Sequence, residues 1–202
     1  VNVLIVDDHA IVRDGLRRLL TASGEHEVIE AAGGREALAL VRSAKPDLIL
    51  LDLNLPGLGG LELLRRLTKA SDARVLVLSM HAEPLYARRS IEAGAAGYLS
   101  KNAAPDEILT AVRRVGAGGR YVEAQIAQAL AVGAGGESLN ALTARELEIM
   151  RLLAAGLSLS EIADALGASY KTIANTCTLI KSKLGAARTA DLVRLAIEAG
   201  IS

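Results

Sequence analysis

DLILLDLNLPG, residues 47–57, decides how the chain folds. Four apolar residues, Leu48-Ile49-Leu50-Leu51, run unbroken into a carboxylate, Asp52, with Leu53 and Leu55 still to follow. A run this short and this apolar fits a strand covered on both faces, as in a parallel sheet. A charge has no place inside such a strand. At the strand's end it can be held rigidly and still reach solvent.

Similar runs recur on either side, each followed by an amphipathic stretch. VNVLIV precedes AIVRDGLRRLLTAS, EVIEAA precedes GREALALVRSA, and DLILLD precedes GGLELLRRLTKA; RVLVLSM precedes PLYARRSIEAGA, and AGYLS precedes PDEILTAVRRVGAG. Five strand–helix units predict a doubly wound α/β domain with a five-stranded parallel sheet over residues 1–117. Residues 118–138 are rich in glycine around EAQIAQALAV and are expected to form a linker carrying a short helix. Residues 139–202 read as all helical. Thr143…Glu146 and Ser158…Glu161 have capping-box spacing, and Gly156, Gly167, Gly185 and Gly200 stand where helices should stop. The pattern gives four helices, near 143–155, 159–166, 170–184 and 189–199.

The composition narrows the function. Apolar residues make up 51% of the 202, enough for two cores, but aromatics only 2%, with no Trp or Phe, so aromatic platforms for single-stranded nucleic acid are not expected. The formal net charge is zero, so any contact with DNA must come from a local patch. The single cysteine, Cys177, excludes an internal disulfide, and no stretch reaches membrane-spanning length. The sequence opens on VNVLIVDD with no basic n-region or cleavage site. A cytoplasmic protein is the expectation.

In an open parallel sheet, ligands bind beyond the carboxyl ends of the strands. Strand one ends in Asp7 and Asp8, strand three in Asp52, strand four in Ser79, and strand five leads to Lys101. Three converging carboxylates cannot all stay ionised without a cation, and a few hard oxygen ligands suit Mg2+. A lysine and a hydroxyl alongside can meet phosphoryl oxygens. This set fits an aspartate that becomes phosphorylated.

On these residues, residues 1–117 resemble the receiver domain of two-component response regulators: the Asp7-Asp8 pair, Asp52 after PDLILL, the LNLPGLGGLELL that follows, Ser79 and Lys101. The resemblance implies a sheet in the order 2-1-3-4-5 and a phosphoacceptor at Asp52. It implies that Asp7, Asp8, Asp52 and the backbone carbonyl of Asn54 hold Mg2+, with Ser79 and Tyr98 at switch positions. Tyr98 has a second reading as simple core packing. Where receivers often carry a cis proline after the lysine, this sequence has Asn102, leaving that bond's geometry open. His81, two residues past Ser79, either influences hydrolysis of the phosphate or is an ordinary surface histidine. Haloacid-dehalogenase-type phosphatases use similar residues, but their nucleophile lies on the first strand in an Asp-x-Asp motif; here the pair comes first and Asp52 is followed by Leu53-Asn54.

In the last domain, Ile173, Cys177, Ile180 and Leu184 form a core stripe on YKTIANTCTLIKSKLG. Lys171, Asn175, Thr178 and Ser182 fall on the outer side, with Ala174 and Lys181 beside them, a face suited to a major groove; Lys171, Thr172, Ala174, Asn175, Thr178 and Lys181 are the candidate DNA contacts. Cys177 is read as packing. LTARELEIMRLLAAGLSLSEIADALGASYKTI and the later KLG resemble the LuxR/NarL-type helix-turn-helix domain. The whole is similar to a NarL/FixJ-type response regulator, which implies a sensor histidine kinase as phosphodonor, double-stranded DNA as target, and a homodimer on phosphorylation. It implies no enzyme activity beyond self-catalysed phosphorylation and dephosphorylation. Thr176 stands where the family usually has His, so the DNA target cannot be carried over. Two other readings stay open: a receiver that signals through protein contacts, and an aspartyl-phosphate phosphatase or phosphotransfer enzyme.

Overall fold

The computed structural model describes residues 1–202 except 23, 81–83, 132–138, 140, 200 and 202. His81, the second glycine-rich linker stretch and Gly200 therefore lie outside the described residues.

Five strands alternate with five helices: β1 (Asn2–Val6), α1 (Ala10–Thr21), β2 (Glu27–Ala31), α2 (Gly34–Ala44), β3 (Leu48–Asp52), α3 (Gly60–Ala70), β4 (Arg74–Ser79), α4 (Pro84–Glu92), β5 (Gly97–Ser100) and α5 (Pro105–Gly116). All neighbouring strands are parallel. The apolar strands divide by alternation. Leu4, Val6, Ile49, Leu51, Val75 and Val77 face α2, α3 and α4, where Val41, Leu63, Leu67 and Leu85 meet them. Val3, Ile5, Leu48, Leu50, Leu76 and Leu78 face α1 and α5, against Leu16, Leu20, Ile108 and Val112. Burial on both sides is why these strands are apolar without interruption.

The sheet has six strands, not five, in the order β2-β1-β3-β4-β5-β6. The added strand, β6 (Tyr121–Val122), lies in the stretch expected to be linker and pairs in parallel with Gly97 and Tyr98 of β5. Two residues between glycines and a helix carry no periodic signal. Their β-branched and aromatic side chains suit an edge strand, however, and the Tyr121 hydroxyl donates to Glu107 on α5 at 2.9 Å. The helix expected in the linker follows as α6 (Ala124–Ala131).

The remaining helices are α7 (Ala144–Ala154), α8 (Leu159–Ala165), α9 (Tyr170–Leu184) and α10 (Thr189–Glu198). Both predicted capping boxes form, at Thr143/Glu146 and Ser158/Glu161. Gly185 ends α9 at φ 65°, a left-handed conformation that glycine adopts without steric cost. The apolar core on the α2–α4 side of the sheet runs on without a break into this bundle through Leu142, Leu147, Met150, Ile162, Ile173 and Ile180.

The two domains are joined by specific bonds. The Tyr86 hydroxyl on α4 donates to the Leu147 carbonyl on α7 at 3.3 Å. Arg89 donates to the carbonyls of Leu139 and Leu142, and Gly57 N–H to the carbonyl of Ala165 at 2.9 Å. Nothing local in the sequence announces this docking, since its partners are separated by 50 to 61 positions for the side-chain bonds.

Candidate phosphoacceptor site and DNA-binding face

Strand register brings the carboxylates together. Val6 lies level with Leu51, so the next residue on each strand, Asp7 and Asp52, come out side by side at the carboxyl edge. Asp52 is level with Leu78, which places Ser79 one step beyond, and Ser79 is level with Ser100, which delivers Lys101 to the same edge. Asp7, Asp52 and Ser79 are buried, while Asp8 is exposed at the rim. The loop after β3 is drawn in by Gly60, where a Cβ would lie only 2.2 Å from the Leu53 carbonyl oxygen. Only glycine fits that approach.

Lys101 Nζ lies 2.6 Å from an oxygen of Asp52 and 2.6 Å from one of Asp7. The other Asp52 oxygen accepts the backbone N–H of Asn54 at 3.0 Å. Burial pushes the Asp52 carboxyl above its ordinary value, opposed by Lys101 and the Asn54 N–H. Burial alone would lower Lys101, but hydrogen bonds to Asp52 and Asp7 more than reverse it and its ammonium is held above the ordinary lysine value. The lysine is thus locked in its charged form by two carboxylates.

Asp7, Asp8, His9 and Asp52 each offer a ligand atom within 4.8 Å of the others. His9 was not foreseen. Its Nδ1 lies 3.2 Å from Asp7 and 3.0 Å from Asp8, and its backbone N–H donates to Asp7 at 2.8 Å. Its place directly after the acidic pair was the available signal. The oxygen donors of the three aspartates match the preference of a small hard cation, which makes the pocket fit for Mg2+.

Asn54 is fixed beside Asp52 by its own N–H. Tyr98 is fully buried in β5, and Ser79 closes β4. The Lys101–Asn102 bond is trans, as is every other peptide bond among the described residues.

In the second domain α9 turns Ile173, Cys177 and Ile180 inward and packs on α7, α8 and α10. Burial pushes the Cys177 thiol up, as expected of a packing residue. Lys171, Thr172, Asn175 and Thr178 are exposed together on the outer face; Ala174 and Lys181 flank it, half-buried. Leu179 shares the face and is also exposed, an apolar member that the sequence reading left out. Ser169 caps the helix at Thr172, and its hydroxyl lies 2.8 Å from the Thr172 hydroxyl.

Among the described residues, no helix is long and apolar enough to cross a membrane. Residues 3–113 match the response regulator receiver domain, and residues 140–196 match the bacterial regulatory proteins of the luxR family. The transcriptional activator protein ExaE of Pseudomonas putida is 44% identical over 211 residues, covering 99% of this chain and 97% of that protein. The response regulator UvrY of Escherichia coli K12 is 38% identical over 208 residues, covering 100% and 95%. RcsB from Salmonella enterica serovar Typhimurium, solved bound to the promoter P1flhDC in the presence of the phosphomimetic BeF3-, superposes with a TM-score of 0.72 at 26% identity over 96% of each chain. The chain belongs to the LuxR-type (NarL/FixJ) two-component response regulators, in which a receiver domain is joined to a helix-turn-helix domain that binds DNA and regulates transcription.

Proposed function

We propose that Asp52 is the phosphoacceptor and that a sensor histidine kinase is the donor. The observation that carries this reading is the double contact of Lys101 with Asp52 and Asp7 at the end of the central strands. An oxygen of Asp52 attacks the donor's phosphorus; that O–P bond forms as the bond from phosphorus to the donor breaks. Lys101 is placed to shift from carboxylate to phosphoryl oxygen, and the Ser79 hydroxyl, one residue past the level of Asp52, to follow it. Asp7, Asp8, Asp52 and the carbonyl of Asn54 would hold Mg2+, which neutralises phosphoryl charge when bound. Tyr98 packs behind this edge as the second switch residue. The chain is a phosphoacceptor in this reading, not an enzyme with a separate substrate.

Phosphorylation then favours a homodimer whose two α9 helices enter successive major grooves. Lys171, Thr172, Ala174, Asn175, Thr178 and Lys181 form the contact surface, the lysines on phosphates and Asn175 on a base edge. The test of the site is direct. With Mg2+ and acetyl phosphate, the protein should gain one base-labile phosphate, and Asp52→Asn should gain none. Equal labelling of that variant would overturn the assignment.

A further inference from the structure

Helix α7 lies across the gap between the loop after β3 and helix α4, on the edge of the receiver where Asp52 emerges. One face of α7 does this work. Leu147 accepts the hydrogen bond from Tyr86. Glu148, buried, packs against Gly59 of the β3–α3 loop. Arg151 is one turn beyond Leu147, so it points into the same gap.

Arg151 is mostly enclosed, with 16% of its side chain exposed. One terminal nitrogen donates to Glu148 at 2.7 Å, while its Nε is buried and has no hydrogen-bond partner. Burial alone would lower the Arg151 guanidinium, but the Glu148 carboxylate and, more weakly, that of Asp52 hold it above the ordinary arginine value. A buried donor without an acceptor is costly, and natural proteins keep few of them. A phosphoryl group on Asp52 would bring three strong acceptor oxygens to this side of the receiver. A guanidinium is the side chain best suited to meet them.

We propose that Arg151, although it belongs to the DNA-binding domain, is a ligand of phosphorylated Asp52. Its Nε–H donates across the domain boundary to a phosphoryl oxygen, while Glu148 holds the far end of the guanidinium. The docked arrangement leaves Lys171, Thr172, Asn175 and Thr178 exposed. Phosphate on Asp52 therefore tightens a domain arrangement in which the DNA-reading face is open. This inference rests on Asp52 being the phosphoacceptor.

The test uses the full chain, Mg2+ and beryllofluoride as the phosphoryl probe, with binding followed by 19F NMR. Arg151→Gln should raise the half-saturating beryllofluoride concentration about tenfold, the effect of one charge-assisted hydrogen bond. Arg151→Lys, which keeps the charge, should raise it by no more than about threefold. In 15N-labelled wild-type protein, the Arg151 Nε–H resonance should move downfield and exchange more slowly with water when beryllofluoride binds; this reading needs no variant to fold. Wild-type affinity in Arg151→Gln, equal losses in both variants, or an unmoved Nε–H signal would each overturn the inference. Binding of beryllofluoride by Asp52→Asn would instead overturn the phosphoacceptor assignment beneath it.

Discussion

Lys101 Nζ and the Asp52 carboxylate meet at 2.6 Å inside the receiver, with almost none of either side chain exposed. The same ammonium serves Asp7, so one cation is shared between two buried carboxylates. Lys101→Ala should therefore destabilise the metal-free protein by about 3–5 kcal/mol at neutral pH, the usual cost of leaving a buried charge uncompensated. Mg2+ should restore part of the loss. Because the folded-state pKa of Lys101 is raised, its contribution is present below the ordinary lysine value and is lost as pH rises through the higher folded value. On the acid side the variant's deficit should shrink, since Asp52, pushed up by burial, can take a proton instead. Urea denaturation of both proteins across pH, with and without Mg2+, checks each part; a deficit that Mg2+ leaves untouched would contradict it.

Asp8 differs from its neighbour in being exposed at the rim of the acidic cluster. Asp8→Ala should weaken Mg2+ binding by at least about tenfold, as expected for loss of one charged ligand. The fold should be unharmed or slightly firmer, because carboxylate repulsion falls. Calorimetric titration is the suitable measurement in a chain with no tryptophan. Unchanged affinity would remove Asp8 from the ligand set.

Glu146 ties the second domain together from a buried position. It accepts Lys183 Nζ at 2.7 Å and the Thr143 N–H at 2.6 Å. Burial works to raise its carboxyl, but Lys183 and Thr143 outweigh burial and hold it below the ordinary value. A depressed folded pKa stabilises above the unfolded value and loses that contribution as pH falls through the folded one. Glu146→Gln should cost roughly 1–3 kcal/mol at neutral pH, and the gap from wild type should close toward about pH 4 and below. A gap independent of pH would show that packing, not charge, holds this joint.

On α9, Lys181 flanks the exposed face and Asn175 is at its centre. Lys181→Ala should weaken binding to all DNA sequences alike and flatten the salt dependence by about one unit of slope. Asn175→Ala should instead relax preference at one base pair per half-site by roughly 1–3 kcal/mol. Selection from a random-sequence pool separates them; an unchanged motif from the Asn175 variant would mean that this residue reads no base.

The parts of the site legible in the sequence were those carried on separate strand ends. Asp7, Asp52, Ser79 and Lys101 each follow an apolar run, and a parallel sheet can only deliver such residues to one edge. The four helices of the second domain were legible because their caps are local, Thr143 with Glu146 and Ser158 with Glu161. Strand β6 was not, because two residues give no period and its pairing partner Gly97 is some two dozen positions back. His9 was visible but unremarked beside the more telling aspartates. Arg151 could not be seen at all: its relation to Asp52 exists only because α7 docks on the receiver, and docking depends on surfaces that pattern does not encode.

Four tyrosines in a chain without tryptophan occupy four different joints. Tyr86 spans the domain boundary, Tyr98 is sealed in the sheet near Lys101, Tyr121 anchors β6, and Tyr170 is exposed where α9 begins. Ring resonances from these residues form a built-in set of reporters. Undocking would disturb the first, activation the second, peeling of the sheet edge the third, and contact with DNA the fourth. One isotopically labelled amino acid therefore lets the order of those events be timed in a single unmutated sample.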